Sequence, residues 1–286
     1  MEFGDKFNNN RHIGKKVVIN DQAELHYISV GHGVPVLFIH GMMQSLYTWR
    51  HNVQPLSNDF QCIAVDLPGS GYSDSPEMDY GCVQMTAALL AFCDALELES
   101  VHVVGTGTGA AYAMAFALEH PNRVKKLVLE SPGEVGRGYP WRIRLMRYRG
   151  IGELMAYYLS EKSMEEILLR SYFDETRITP LMTEQVWLPM LMPGAREAML
   201  SGLRCFDFNE TCERMHEIQK PTLLVWGDHD AFHPIARMRT YEIELPRLQT
   251  TTINNCGHLT HEERAREFNN HILAFLRAPY NVEADG

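Results

Sequence analysis

The sequence predicts an α/β chain: a mostly parallel, doubly wound sheet with an inserted block of helices. Three observations predict it. Apolar runs such as VPVLFIHG and VHVVGTG show no polar alternation, as expected of strands buried on both faces. Such runs stop at glycine or a turn of small residues. Segments at helical spacing separate them, and strands alternating with helices make a parallel sheet covered on both sides.

Element by element, KKVVIN (15–20) and AELHYISVG (23–31) read as opening strands. VPVLFIHG (34–41) and FQCIAVDLPGSG (60–71) are buried strands with their turns. VQMTAALLAFCDALEL (83–98) is a helix, VHVVGTG (101–107) a strand, and AAYAMAFALEH (110–120) a helix stopped by Pro121. VKKLVLESPG, PTLLVWGDHD and LQTTTINNCGH supply three more strands. EERAREFNNHILAFL closes the fold as a helix, with Ala265, Phe268, Ile272 and Phe275 on one face. Residues 134–208 break the rhythm: they are rich in Met, Leu and Tyr, helical in pattern, and lack a buried strand. The predicted division is a sheet core from 1–133 and 209–286, and a helical cap from 134–208 over the strand ends.

With 286 residues, 45% hydrophobic and 22% charged, the chain has ordinary globular composition. A net charge of −10 disfavours nucleic acid and anionic membrane as partners overall. No apolar run approaches the roughly 18 residues of a membrane span. The N-terminal MEFGDKFNNNRHIGKK lacks the apolar core of a secretory signal. The cysteines at 62, 82, 93, 205, 212 and 256 form no C-x-x-C pair and read as buried, reduced thiols of a cytoplasmic protein. No cofactor or metal is expected, and the oligomeric state stays open.

Five motifs follow in order: FIHGMMQSLYTW, DLPGSGYSD, GTGTG, WGDHD and NCGHLTHEE. Strand, GTGTG and helix have the context of a nucleophile elbow, G-x-S-x-G, followed by an acid and then a histidine. Together, over roughly residues 17–277, they make the chain resemble the α/β-hydrolase superfamily, especially its capped epoxide-hydrolase, haloalkane-dehalogenase and C–C-bond-hydrolase members. The resemblance implies Asp230 as triad acid, with Asp228 the alternative, and His258 as base. It implies an oxyanion hole from the backbone N–H groups of Met42 and Thr108, with His40 and Gly41 supporting that loop. Trp49 and Met42 are expected to line the site from below and Trp187 from the cap, with His40 and Gly41 also expected beside the substrate.

The pattern fails at its centre, because the elbow tip is Gly107, which has no side chain. Thr106 and Thr108 diverge around a tight turn, and Cys256 is a candidate thiol only by proximity to His258. Three readings follow. The first is a serine-type hydrolase of a small to medium hydrophobic ester, lactone or C–C carbonyl substrate, with the serine replaced by glycine. The second is a nucleophile-free hydrolase, lyase, isomerase or cyclase using Asp230 and His258 as a dyad. The third is a non-catalytic binder.

GTGTGA also fits the dinucleotide fingerprint, with Glu130 about 20 residues on, but several strands precede it. His229, Asp230 and His233, and again His258, His261 and Glu262, lie close in sequence but lack compact zinc spacing, and surface histidines near loop ends are the reading rather than a metal site. In the cap, Met155, Tyr157, Tyr158, Trp187, Met190 and Met192 are candidate walls of an apolar pocket. Arg142, Arg144, Arg147 and Arg149 form a basic patch, read as a solvated face.

Overall fold

A computed structural model describes residues 14–20 and 23–279. The segment read as lacking a secretory signal falls, up to position 13, outside the described residues.

The sheet has eight strands in the order β1-β2-β4-β3-β5-β6-β7-β8. They are β1 (Lys15–Ile19), β2 (Ala23–Val30), β3 (Pro35–Ile39), β4 (Gln61–Val65), β5 (Val101–Thr106), β6 (Val124–Glu130), β7 (Thr222–Gly227) and β8 (Leu248–Ile253). β1 and β2 pair antiparallel, β2 joins β4 antiparallel, and every later pairing is parallel. All eight predicted strands are present.

Side chains alternate across the sheet, so one run of apolar residues feeds two cores. Leu37, Ile39, Leu127, Leu129, Leu224 and Trp226 point to one face, covered by α2 (Cys82–Ala95), α3 (Thr108–Glu119) and α9 (Met238–Glu244). Val36, Phe38, Val128, Leu223 and Val225 point to the other, covered by α1 (Val53–Leu56) and α10 (Ala265–Arg277). On α10 the buried positions Phe268, Ile272 and Phe275 follow the predicted spacing. The short helices at Leu46–His51, Val53–Leu56 and Met238–Glu244 have no counterpart among the elements predicted from sequence.

Within residues 134–208, between β6 and β7, lie the helices α4 (Trp141–Leu145), α5 (Ile151–Tyr157), α6 (Glu161–Ser171), α7 (Pro180–Trp187) and α8 (Ala195–Cys205). They hold a separate apolar cluster around Ile143, Met164, Met199 and Leu203, against which Met42 and Met43 of the sheet side pack. All six cysteines are free, but the expectation of uniform burial is corrected: Cys205 is exposed, and Cys82 and Cys212 are half-buried.

Candidate active site

The strand ends of β5, β7 and β8 bring three predicted residues together. β5 stops at Thr106, and Gly107 turns the chain with φ +54 and ψ −118 into α3. Only glycine adopts such a φ freely. A Cβ on Gly109 would fall 2.4 Å from the carbonyl oxygen of His40, and one on Gly105 2.6 Å from that of Gly109. Those glycines let helix and strand touch. At Gly107 itself a Cβ would meet only His258, with Nε2 at 3.3 Å.

His258 follows β8, and its backbone N–H donates to Ser171 O at 2.7 Å. Its Nδ1 lies 2.8 Å from Oδ2 of Asp230, which follows β7. Oδ1 of Asp230 accepts backbone N–H bonds from Phe232 at 2.8 Å and His233 at 2.9 Å. Both side chains are buried. Burial disfavours the His258 imidazolium, but the Asp230 charge and hydrogen bond outweigh it, and the pKa is raised above 6.5. Burial likewise opposes the Asp230 carboxylate, yet His258 holds its pKa below 3.8.

The expected pair of backbone donors is altered. The Met42 N–H donates to the Thr108 hydroxyl at 2.7 Å, so it is already engaged. The Thr108 N–H opens α3 and is one of the four that a helix leaves without an internal acceptor. His40 supports this loop: its Nε2 accepts the Leu67 N–H at 3.1 Å and its Nδ1 lies 2.8 Å from Gly41 O.

Two cavities meet here. Gly41, Met42, Gln44, Thr108 and Val186 wall both, so the Met42–Thr108 bond stands at their partition. Gly107 and His258 face the second, opposite Met164, Ile167 and Leu168 of α6. Tyr112, Met190 and Met199 face the first.

Residues 34–265 match the family described as the alpha/beta hydrolase fold. The chain belongs to that family. An enzyme from Pseudomonas putida, 2-hydroxy-6-oxononadienedioate/2-hydroxy-6-oxononatrienedioate hydrolase 2, is 32% identical over 272 residues, covering 89% of this chain and 92% of its own. The 2-hydroxy-6-oxo-6-phenylhexa-2,4-dienoate hydrolase of Comamonas testosteroni is 29% identical, covering 88% and 91%. A solved meta-cleavage product hydrolase from Pseudomonas fluorescens IP01 superposes with a TM-score of 0.80 at 26% identity, covering 93% of this chain and 98% of that one.

Within this hydrolase fold several expectations need correction. Trp49 does not line the site. It is fully buried, 4.3 Å from the His261 ring and 5.2 Å from Phe38. Trp187 packs in the inserted cluster with Arg196 over its ring, outside both cavity walls. Of the six candidate pocket residues on the insertion only Met190 reaches a wall, while Tyr157 and Tyr158 face solvent. Asp228 accepts from Cys256 N at 3.1 Å and contacts His229, shaping the loop rather than meeting His258. Cys256 is buried, and burial pushes its thiol well above the usual range.

His233, His258 and His261 are buried, not surface histidines, and the Glu262 side chain is 5% exposed. Asp230, His233 and His258 place ligand-type atoms within 4.8 Å of one another, the nearest approach to a metal cluster among the described residues. Those atoms already serve each other and the backbone: the His233 nitrogens face Ser131 O and Glu134 O at 2.8 and 2.9 Å. Glu130, the acid of the dinucleotide pattern, is instead buried against His261 at 2.5 Å and accepts from Thr260. His261 also meets the Thr48 hydroxyl at 2.7 Å, and Glu262 pairs with Arg50 at 2.6 Å. No sequence motif announced this buried network under the site.

Proposed function

We propose that the chain is a serine-type hydrolase site for a small to medium hydrophobic ester, lactone or C–C carbonyl compound, with the nucleophile position vacant at Gly107 and residues 134–208 capping it. The carrying observation is His258 Nε2, 3.3 Å from the place of a Cβ at Gly107. A hydroxyl on that carbon lies within reach of an oriented base. The relatives' named hydrolase activities support a carbonyl substrate, and two cavities joined at Thr108 suit one with an arm on each side of the reacting carbon. The developing oxyanion takes the Thr108 N–H and the Thr108 hydroxyl proton, the latter polarised by the Met42 N–H on its oxygen.

A second reading rests on the Asp230–His258 contact at 2.8 Å. A binder needs no oriented base. In the chain as it stands, His258 takes a proton from water over Gly107, and the oxygen adds to the carbonyl carbon. Collapse then expels the leaving group, which receives that proton. The same base facing an acidic C–H gives lyase, isomerase or cyclase chemistry.

The test compares the chain with Gly107→Ser for aryl-ester hydrolysis and for fluorophosphonate labelling by intact mass. The serine version labels and turns over on the order of a millionfold faster. Adding Thr108→Val to it lowers kcat by about a hundredfold. A serine version that neither labels nor hydrolyses the ester overturns the first reading. His258→Ala-sensitive proton transfer in the chain itself supports the second.

A further inference from the structure

The cap carries an apolar, basic outer face that the proposed reaction does not use. Among the described residues, twelve large hydrophobic side chains stand exposed, and six of them fall within 141–158: Trp141, Tyr148, Ile151, Leu154, Tyr157 and Tyr158. On α5 the exposed Ile151, Leu154 and Tyr157 recur every three residues, while Gly152 and Ala156 on the opposite side are buried. A surface helix ordinarily turns its apolar side inward; α5 turns small residues inward and large ones out. The same stretch holds the exposed Arg142, Arg144, Arg147 and Arg149 against one acid, Glu153, which is tied to Arg204 at 2.9 Å. Alongside, a groove that Tyr157 also lines carries Arg147, Arg149, Arg196 and Arg204 against Asp79, Glu153 and Glu197.

We infer that this face seats on an anionic lipid bilayer. Tryptophan and tyrosine sit at the headgroup level, leucine and isoleucine enter the acyl boundary, and arginine stems reach back to phosphates. The net charge of −10 belongs to the whole chain, and screening limits its influence to about 8–10 Å, so the local excess of arginine governs contact. The face also lies close to the site, because α5 packs on α8, whose Ala195, Ala198 and Met199 wall the first cavity. The inference does not depend on the proposed reaction, since binding is read without turnover.

The experiment is co-sedimentation of the full chain with phosphatidylcholine vesicles, with and without phosphatidylglycerol, at low and high salt. Binding is expected with phosphatidylglycerol and lost at high salt. Arg147→Glu/Arg149→Glu and Leu154→Ser/Tyr157→Ser each reduce the bound fraction roughly tenfold or more at unchanged thermal midpoint. No binding, equal binding to neutral vesicles, or indifference to both double variants overturns it. So does sedimentation velocity showing that the wild-type chain self-associates and the variants do not, which assigns the face to a second copy.

Discussion

Two glycines on the elbow differ sharply in what a side chain would meet. At Gly107 the nearest atom to an added Cβ is His258 Nε2 at 3.3 Å, and the obstacle is the φ of +54. Gly107→Ser is therefore expected to cost about 1–2 kcal/mol of stability. At Gly109 the Cβ would stand 2.4 Å from a backbone oxygen, so strand and helix must part, and Gly109→Ala is expected to cost about 3 kcal/mol. Urea unfolding of both variants decides it, and equal losses would refute the packing argument. The raised pKa of His258 sets the pH dependence. A general base works when neutral, so kcat/KM of the Gly107→Ser version should rise with pH through a midpoint above 6.5. Asp230→Asn should lower that midpoint as well as the rate; a midpoint indifferent to Asp230 would separate the pair functionally. The grouping of Gly107, Asp230 and His258 was legible because the fold, rather than the chemistry, fixes their order along the chain. The Thr108 hydroxyl on Met42 was not, since spacing positions backbones and leaves a side chain's partner to three dimensions.

Among elements, legibility followed burial. Strands β3 to β7 announced themselves because both faces are covered and most of each run is apolar, despite His102 in β5 and Lys125 and Lys126 in β6. Short helices failed the same test: α9 buries only Met238 and Tyr241 within its seven residues, too few to set a period. Trp49 was misplaced for a related reason. It sits in the turn Leu46–His51, whose tight winding aims it into the lower core between Phe38 and His261 rather than toward the cavity. In the insertion the apolar spacing was visible, but its direction was not. α5 shows that an apolar stripe at helical spacing can face outward, whereas the cavity walls come from α6, α7 and α8 and from Pro189 and Met190 just beyond α7.

At the scale of the whole molecule, buried ionisable groups tie stability to pH. Burial, with Lys126 and Lys125 nearby, pushes His102 down to about 4, and burial with His258 does the same to His233. Unfolded histidine titrates near 6.5, so between pH 6.5 and 4 the unfolded chain binds more protons and stability falls as pH falls. Burial opposes the Glu262 carboxylate, but Arg50 overrides it and holds the pKa at about 2. Its contribution is present above the ordinary value of 4.5 and is lost as pH falls toward 2, an amount of roughly 3 kcal/mol. His258 works in the other direction, since its raised pKa adds stability below 6.5 that disappears as pH rises through the folded value. Unfolding free energy from urea titrations should therefore decline below about pH 6.5 and steepen below about 4.5. His102→Phe should flatten the first segment and leave the second. Glu262→Gln should flatten the second while costing about 3–5 kcal/mol at neutral pH, because Arg50 then stays buried without its partner. A slope below pH 4.5 that survives Glu262→Gln would mean that other carboxylates, Glu130 and Asp230 first among them, carry the acid sensitivity.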